Sequence, residues 1–186
     1  MEIELNDFIQ VHDNVLEPEV CQVLINLFET NQDKHERVEN NKKPCFTQFN
    51  LTDNCKINNE IETIHNLLIS KTIQHRNNYY EFVDKRVFPE KHSFEQFRLK
   101  RYNNDENDEF DTHVDVMDYT SARRYLAFLW YLNDVNDGGE TLFVDKSIRP
   151  KVGTLLIFPP LWMFPHKGTK PISNPKYILS TYLHYK

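Results

Sequence analysis

The chain has 186 residues, 39% apolar and 13% aromatic, with 28 acidic against 22 basic side chains for a formal net charge of −6. That length fits one domain able to bury a core without disulfides, and the aromatic content excludes a disordered chain. The negative balance argues against a nucleic-acid partner, which needs a basic footprint.

In chain order, Pro18 suits a first helical position, and Val20, Val23, Leu24, Leu27 and Phe28 recur at helical spacing, so a helix is predicted over 18–31. Residues 34–44 are charged and Asn-rich and read as a loop. Ile57, Ile61, Ile64, Leu68 and Ile69 share one face of a second helix predicted over 57–76. After Pro89 the period changes to two. Over 94–102, Phe94, Gln96, Arg98, Lys100 and Tyr102 alternate with Glu95, Phe97, Leu99 and Arg101. Residues 125–132 form a continuous apolar run, as expected of a buried strand, and 142–144, 154–158 and 177–185 read as further strands. Asp137-Gly138-Gly139 marks a turn between two of them. Helices followed by many short strands predict an α+β chain, a single domain over 1–186. Residues 1–90 are expected to be mainly helical support and 91–186 a β-sandwich or barrel.

Charge and glycine are both uneven. Seven acids (Asp105, Glu106, Asp108, Glu109, Asp111, Asp115 and Asp118) stand between residues 104 and 119, which hold no Lys or Arg; the rest of the chain holds 21 acids and 22 bases. All four glycines lie between Gly138 and Gly168, so tight corners are expected there. Cys21, Cys45 and Cys55 are odd in number and form no C-x-x-C pair. That suits free thiols in a reducing compartment rather than disulfides or a zinc site. The N-terminal residues have no basic n-region and no long apolar segment, and the longest apolar run, 155–164, contains Pro159 and Pro160. Neither a signal peptide nor a membrane span is expected, and a cytoplasmic location is.

The candidate chemistry starts at His113-Val114-Asp115. In an extended segment residues i and i+2 face the same way, so an imidazole and a carboxylate converge. His166, in Phe164-Pro165-His166-Lys167-Gly168, is the best third ligand. Two His and one carboxylate with open positions opposite suit non-haem Fe(II). The same pattern also fits a surface histidine in an acidic run. Lys176, ten residues after His166, opens an alternating strand. If it faces inward it needs an anion, because an unpaired buried ammonium is costly; a strand-end lysine reaching solvent is the plainer alternative. His12, His35, His65, His75, His92 and His184 have no partner at ligand spacing.

Over about residues 94 to 185 the sequence resembles the prolyl 4-hydroxylase-like branch of the 2-oxoglutarate- and Fe(II)-dependent oxygenases. The matching features, in order, are Arg101-Tyr102, His113-x-Asp115, Trp130-Tyr131-Leu132-Asn133, Asp137-Gly138-Gly139-Glu140-Thr141, Gly153-Thr154-Leu155-Leu156-Ile157-Phe158-Pro159, His166-Lys167-Gly168 and Lys176-Tyr177. The resemblance implies a double-stranded β-helix, a jelly-roll, cupin-like core with N-terminal supporting helices. It implies Fe(II) held by His113, Asp115 and His166, and 2-oxoglutarate whose far carboxylate meets Lys176. Tyr102 and Tyr131 match residues that help hold the co-substrate, and Leu129 shares the face of Tyr131. Arg124 and Tyr182 stand where relatives face their substrate.

The implied reaction consumes O2, decarboxylates 2-oxoglutarate to succinate and hydroxylates an unactivated C–H. Asp115 favours hydroxylation over halogenation, since halogenating relatives lack this carboxylate. The expected substrate is a proline-containing peptide or protein, hydroxylated at C4. Other residues, free amino acids or small molecules form the competing enzyme reading, and a non-catalytic metal-binding module is the non-enzyme one. Ascorbate is implied as a sustaining reductant by the resemblance alone. An acidic rim at 104–111 is expected to steer basic substrates; a loop that is merely solvated is the alternative. Three departures, Ala127 for Thr, Phe110 for Tyr and Tyr182 for Trp, bear on substrate identity rather than on the metal.

Overall fold

The computed structural model describes residues 4–40, 44–56, 59–105 and 107–186. Expectations that fall on Ile57, on Glu106, on part of the loop at 34–44 and on the first three residues therefore lie outside the described residues.

The N-terminal half supplies β1 (Gln10–His12), α1 (Pro18–Thr30), β2 (Glu36–Glu39), β3 (Cys45–Asn50), α2 (Leu51–Asn54) and α3 (Asn59–Val83). Pro18 opens α1 at a position where its missing N–H is no loss, and Cys21, Leu24 and Phe28 form the buried stripe. The helix α3 runs seven residues past the expected end. Its last turns are held by tertiary contacts: the Tyr79 hydroxyl donates to the Phe8 carbonyl at 3.1 Å, and Tyr80 stacks on Phe88.

The second half supplies β4 (His92–Phe94), β5 (Arg98–Tyr102), β6 (Phe110–His113), β7 (Arg124–Tyr131), β8 (Thr141–Leu142), β9 (Ser147–Ile148), β10 (Leu155–Phe158), β11 (His166–Gly168) and β12 (Lys176–Tyr185). Among the described residues these make two sheets. The major sheet runs β1-β10-β7-β12-β5-β3-β2, with β4 also on β12, and the minor sheet runs β6-β11-β8-β9. All pairings are antiparallel. The fold is a double-stranded β-helix.

Three strands depart from the sequence expectation, because the N-terminal half is more than helical support. β1 pairs with β10, and β3 joins β5. β2 forms within the stretch expected to be a loop. It is an edge strand whose charged side chains face solvent, and Gln48 on β3 donates to Glu36 at 2.6 Å. The expected strand over 94–102 is also broken, with β4 and β5 separated by residues 95–97.

β7 shows why the core sequence reads as one apolar run. Leu126, Phe128 and Trp130 face the helices, within a core that includes Leu24, Phe28, Leu68, Leu99 and Leu179. Ala127 and Tyr131 face the other sheet, with Tyr102, Phe143, Leu156, Phe158, Phe164 and Ile178. Both faces are buried, so polar alternation disappears while the period of two remains. Each such large side chain contributes about 1.5–3 kcal/mol of burial. The turn before β8 requires its glycines: Gly138 has φ +70°, and a Cβ there would sit 2.3 Å from the Lys170 carbonyl oxygen.

No described helix is long and apolar enough to cross a membrane.

Candidate active site

The two histidines meet through strand register. β6 and β11 are antiparallel neighbours, and His113 and His166 stand directly opposite each other. Their ring centroids are 4.3 Å apart. Asp115 follows in a bend just beyond β6, rather than in the strand itself. Two groups from the major sheet fix it there. The Tyr182 hydroxyl donates to Asp115 Oδ1 at 2.9 Å, and the Arg124 guanidinium donates to the Asp115 backbone carbonyl at 3.0 Å. The three side chains offer ligand atoms within 4.8 Å of one another, the only such cluster of three or more among the described residues.

The donor set fits a transition metal. His113 Nδ1 lies 2.7 Å from the Asp111 carbonyl and His166 Nδ1 lies 3.1 Å from the Phe164 carbonyl. A carbonyl only accepts, so both Nδ1 atoms carry the proton and both Nε2 lone pairs are free. Those Nε2 atoms each lie 3.6 Å from a different oxygen of Asp115. An ion with bonds of about 2 Å spans such gaps. Phe110 stacks on His113 at 3.4 Å between centroids, and Phe158 packs edge-on against His166, which locks both rings. Burial lowers the pKa of His166 and keeps it a neutral ligand. Burial acts to raise the Asp115 carboxyl, but its histidine neighbours and the donating Tyr182 hydroxyl outweigh burial and hold it at about 2.

Beside the cluster lies an inner cavity lined by Tyr102, Leu129, Thr141, Ile178 and Lys176, among others. Lys176 is 2% exposed and donates to the Gly139 carbonyl at 2.6 Å. Burial pulls its pKa down to about 7, against the opposing pull of Glu140. Tyr102 is its cross-strand partner, with Lys176 Nζ 5.4 Å from the centre of the ring. The Tyr102 hydroxyl makes no hydrogen bond to any described residue, although the side chain is buried. Burial raises its pKa, so it remains a donor. A cavity with a lone phenol and an ammonium at one end and three metal-ligand atoms at the other fits a chelating dicarboxylate.

Tyr131 stands apart from the other residues expected at the co-substrate. It is fully buried and is absent from the cavity lining. Its hydroxyl donates to Thr141 Oγ1 at 2.7 Å, so it orients Thr141, which does face the cavity. Thr141 was not among the expected site residues.

Past the cluster the cavity opens into an outer groove lined by Phe46, Arg98, Lys100, Asp118, Arg124 and Tyr182, among others. Arg124 reaches it but is committed: it holds both oxygens of Glu95, at 2.7 and 2.9 Å, and lies 4.2 Å above the Tyr182 ring. Tyr182 likewise lines the groove but spends its hydroxyl on Asp115.

The acidic rim is corrected here. None of the described acids in 104–111 lines the groove. Asp108 is buried, accepts the Asn103 N–H and pairs with Arg37 at 2.7 Å; Glu109 and Asp111 lie within 4 Å of Lys167. Asp108 is thus neutralised by Arg37, while Glu109 and Asp111 share the single charge of Lys167. The other histidines are accounted for elsewhere; His35 and His65, for instance, bond to the Phe28 carbonyl and to Thr52.

Comparison with known proteins agrees with this geometry. Residues 97–184 match the 2OG-Fe(II) oxygenase superfamily profile, a span holding β5 to β12 apart from the last residue of β12. "Probable prolyl 4-hydroxylase 9" of Arabidopsis thaliana is 28% identical over 140 residues, which is 70% of this chain. The match spans 44% of that relative's length. Among solved structures, the viral collagen prolyl hydroxylase of Paramecium bursaria Chlorella virus-1, in its 2OG complex, is similar with a TM-score of 0.72 at 20% identity, covering 96% of this chain and 97% of that one. A Pseudomonas putida prolyl-4-hydroxylase gives 0.72 at 14% identity, covering 96% and 93%. A Trichoplax adhaerens prolyl hydroxylase in complex with a hypoxia inducible factor peptide gives 0.74 at 16%, covering 95% and 83%. At these identities the solved structures speak to the fold. Over residues 97–184 the chain is thus similar to the 2OG-Fe(II) oxygenase superfamily, and the curated relative and the fold agree with that match.

Proposed function

We propose that the protein is a 2-oxoglutarate- and Fe(II)-dependent hydroxylase acting on a peptidyl proline. The observation that carries this is the joining, in one cavity, of the His113–Asp115–His166 cluster with the buried Lys176 ammonium. Neither half has another evident purpose at such burial. The choice of proline is supported by the curated relative, which is named a prolyl 4-hydroxylase.

In this reading His113, Asp115 and His166 hold the iron. When bound, Fe(II) supplies the redox chemistry that couples decarboxylation of 2-oxoglutarate to hydroxylation of a C–H bond. The chain's residues do the rest. The Asp111 and Phe164 carbonyls keep the Nδ1 protons and aim each Nε2 inward. Tyr182 steadies Asp115 from across the sheets. Lys176 gives a charge-assisted hydrogen bond to the far carboxylate, and Tyr102 is placed to add a second. Leu129, Ile178 and Phe158 keep water from the same space. The substrate lies in the outer groove against Tyr182 and the Arg124–Glu95 pair.

Two measurements test this. Purified protein should convert 2-oxoglutarate to succinate in an Fe(II)-dependent manner, and a proline-containing peptide should gain the mass of one oxygen on a proline. No succinate from iron-loaded protein would overturn the oxygenase reading. Oxygen gained only on another residue would move the substrate assignment and leave the enzyme class intact.

A further inference from the structure

Lys100 sits where the inner cavity and the outer groove meet, and it lines both. It stands two residues before Tyr102 on the same face of β5, with Ile178 and Gln48 as cross-strand neighbours. Its ammonium lies 5.0 Å from the centre of the Phe46 ring, which fixes where the stem runs. Yet Nζ makes no hydrogen bond and no ion pair with any described residue.

Every described acid lining the groove has its hydrogen bonds with groups other than Lys100. Both Glu95 oxygens are held by Arg124. Asp118 is bonded to Ser121. Asp115 is shared between Tyr182 and the two histidines. Glu36, behind the cross-strand neighbour Gln48, accepts that side chain's amide. The loaded inner site cannot supply a counter-charge either. A divalent iron and the Lys176 ammonium balance the Asp115 carboxylate and a dicarboxylate, so the inner site is neutral without Lys100. One positive charge is left over, partly desolvated, on the substrate side of the metal ligands. A desolvated ammonium without an anion is costly, so a ligand that brings one is favoured by more than its contact area.

We propose that Lys100 is a specificity residue that receives a carboxylate carried by the substrate polypeptide close to the hydroxylated residue. The carboxylate comes from an Asp or Glu side chain or from a chain terminus. The inference rests on the oxygenase reading, in which the groove is the substrate's path, and it runs opposite to the basic preference that the acidic run suggests.

The test reads binding rather than turnover. Protein loaded with Mn(II) and 2-oxoglutarate is titrated against labelled proline peptides bearing Glu, Gln or Lys beside the proline. A second arm compares free and amidated C-termini. Wild type should bind the Glu peptide, or the free terminus, at least tenfold more tightly than its neutral counterpart. Lys100→Met keeps the stem on Phe46 and should erase that difference, while Lys100→Arg retains it. Which arm shows the preference identifies the source of the carboxylate. Equal binding of Glu and Gln peptides and of both termini by wild type would overturn the proposal, as would a preference that survives in Lys100→Met. A tenfold loss of 2-oxoglutarate affinity in Lys100→Met would also overturn it, by assigning the lysine to the co-substrate. Failure of the oxygenase reading shows separately, as absent succinate in wild type whatever the peptides do.

Discussion

The inner cavity and the outer groove meet at Lys100 and are held together by different means. In the cavity the functional groups are tied to backbone: His113 and His166 to the carbonyls of Asp111 and Phe164, and Lys176 to that of Gly139. In the groove many ties run between side chains, as in Arg124 with Glu95, Asp118 with Ser121 and Gln48 with Glu36, beside the bond from Arg124 to the Asp115 carbonyl. Backbone anchors shift only if a strand shifts. Partly exposed side-chain pairs part for about 1 kcal/mol. The first arrangement suits ligands that never change, a metal and one co-substrate. The second suits a partner whose sequence varies.

This contrast can be broken by variants on either side. The largest effect is expected from His113→Ala or His166→Ala, which should lower Fe(II) affinity by two orders of magnitude or more and abolish succinate formation; metal content and coupled assay report both. Lys176→Ala comes next. Losing a charge-assisted hydrogen bond of about 1.5–3 kcal/mol should weaken 2-oxoglutarate binding roughly ten- to a hundredfold with metal affinity unchanged. An unchanged 2-oxoglutarate Kd would sink that assignment.

The same lysine predicts a pH dependence. Its folded pKa, near 7, lies far below the ordinary value of 10.5, so the ammonium that a dicarboxylate needs is lost as pH rises through neutrality. Raising the pH from about 6.5 to about 8.5 should weaken 2-oxoglutarate binding by about 25-fold, as the protonated fraction falls. The sign reverses for the ligand-free fold. Between pH 7 and 10.5 the unfolded chain binds the extra proton, so stability rises with pH there. Lys176→Met should flatten both trends.

Smaller effects sharpen the boundary between the two regions. Tyr182→Phe keeps the ring under Arg124 but removes the bond to Asp115, and should weaken metal binding about tenfold, as loss of an outer partner does. Titration with Co(II) and its visible spectrum would report it. Glu95→Gln loosens Arg124 and should change peptide affinity by about twofold to fivefold. If it alters metal affinity as much as Tyr182→Phe does, the groove is not separate from the cavity.

The parts of this site legible in the sequence are those set by strand alternation. Lys100 and Tyr102 share a face by their spacing, as do Leu129 and Tyr131; the His113-x-Asp115 spacing is legible too, although Asp115 lies in a bend held by Tyr182 and Arg124 rather than in the strand. What alternation does not reveal is depth. Tyr131 faces the right way, yet Thr141 stands between its hydroxyl and the cavity. Arg124 and Tyr182 also point to the groove, but their partners, Glu95 and Asp115, are 29 and 67 residues away in sequence. The acidic run misled for the same reason. Asp108 is buried by Arg37, a residue 71 positions earlier on an edge strand too charged to read as a strand. The extra strands of the N-terminal half escape because β1 is three residues long and takes its conformation from β10 rather than from its own pattern.

One strand touches every part of this site. Lys176, Ile178, Ser180 and Tyr182 all line the inner cavity from β12, with the buried lysine at one end and the tyrosine that donates to Asp115 at the other. At about 3.3 Å of rise per residue, those ends are about 20 Å apart along the backbone. That interval is fixed by peptide geometry. β12 thus couples the two ends of the site: any shift of that strand moves Lys176 together with the tyrosine that holds Asp115.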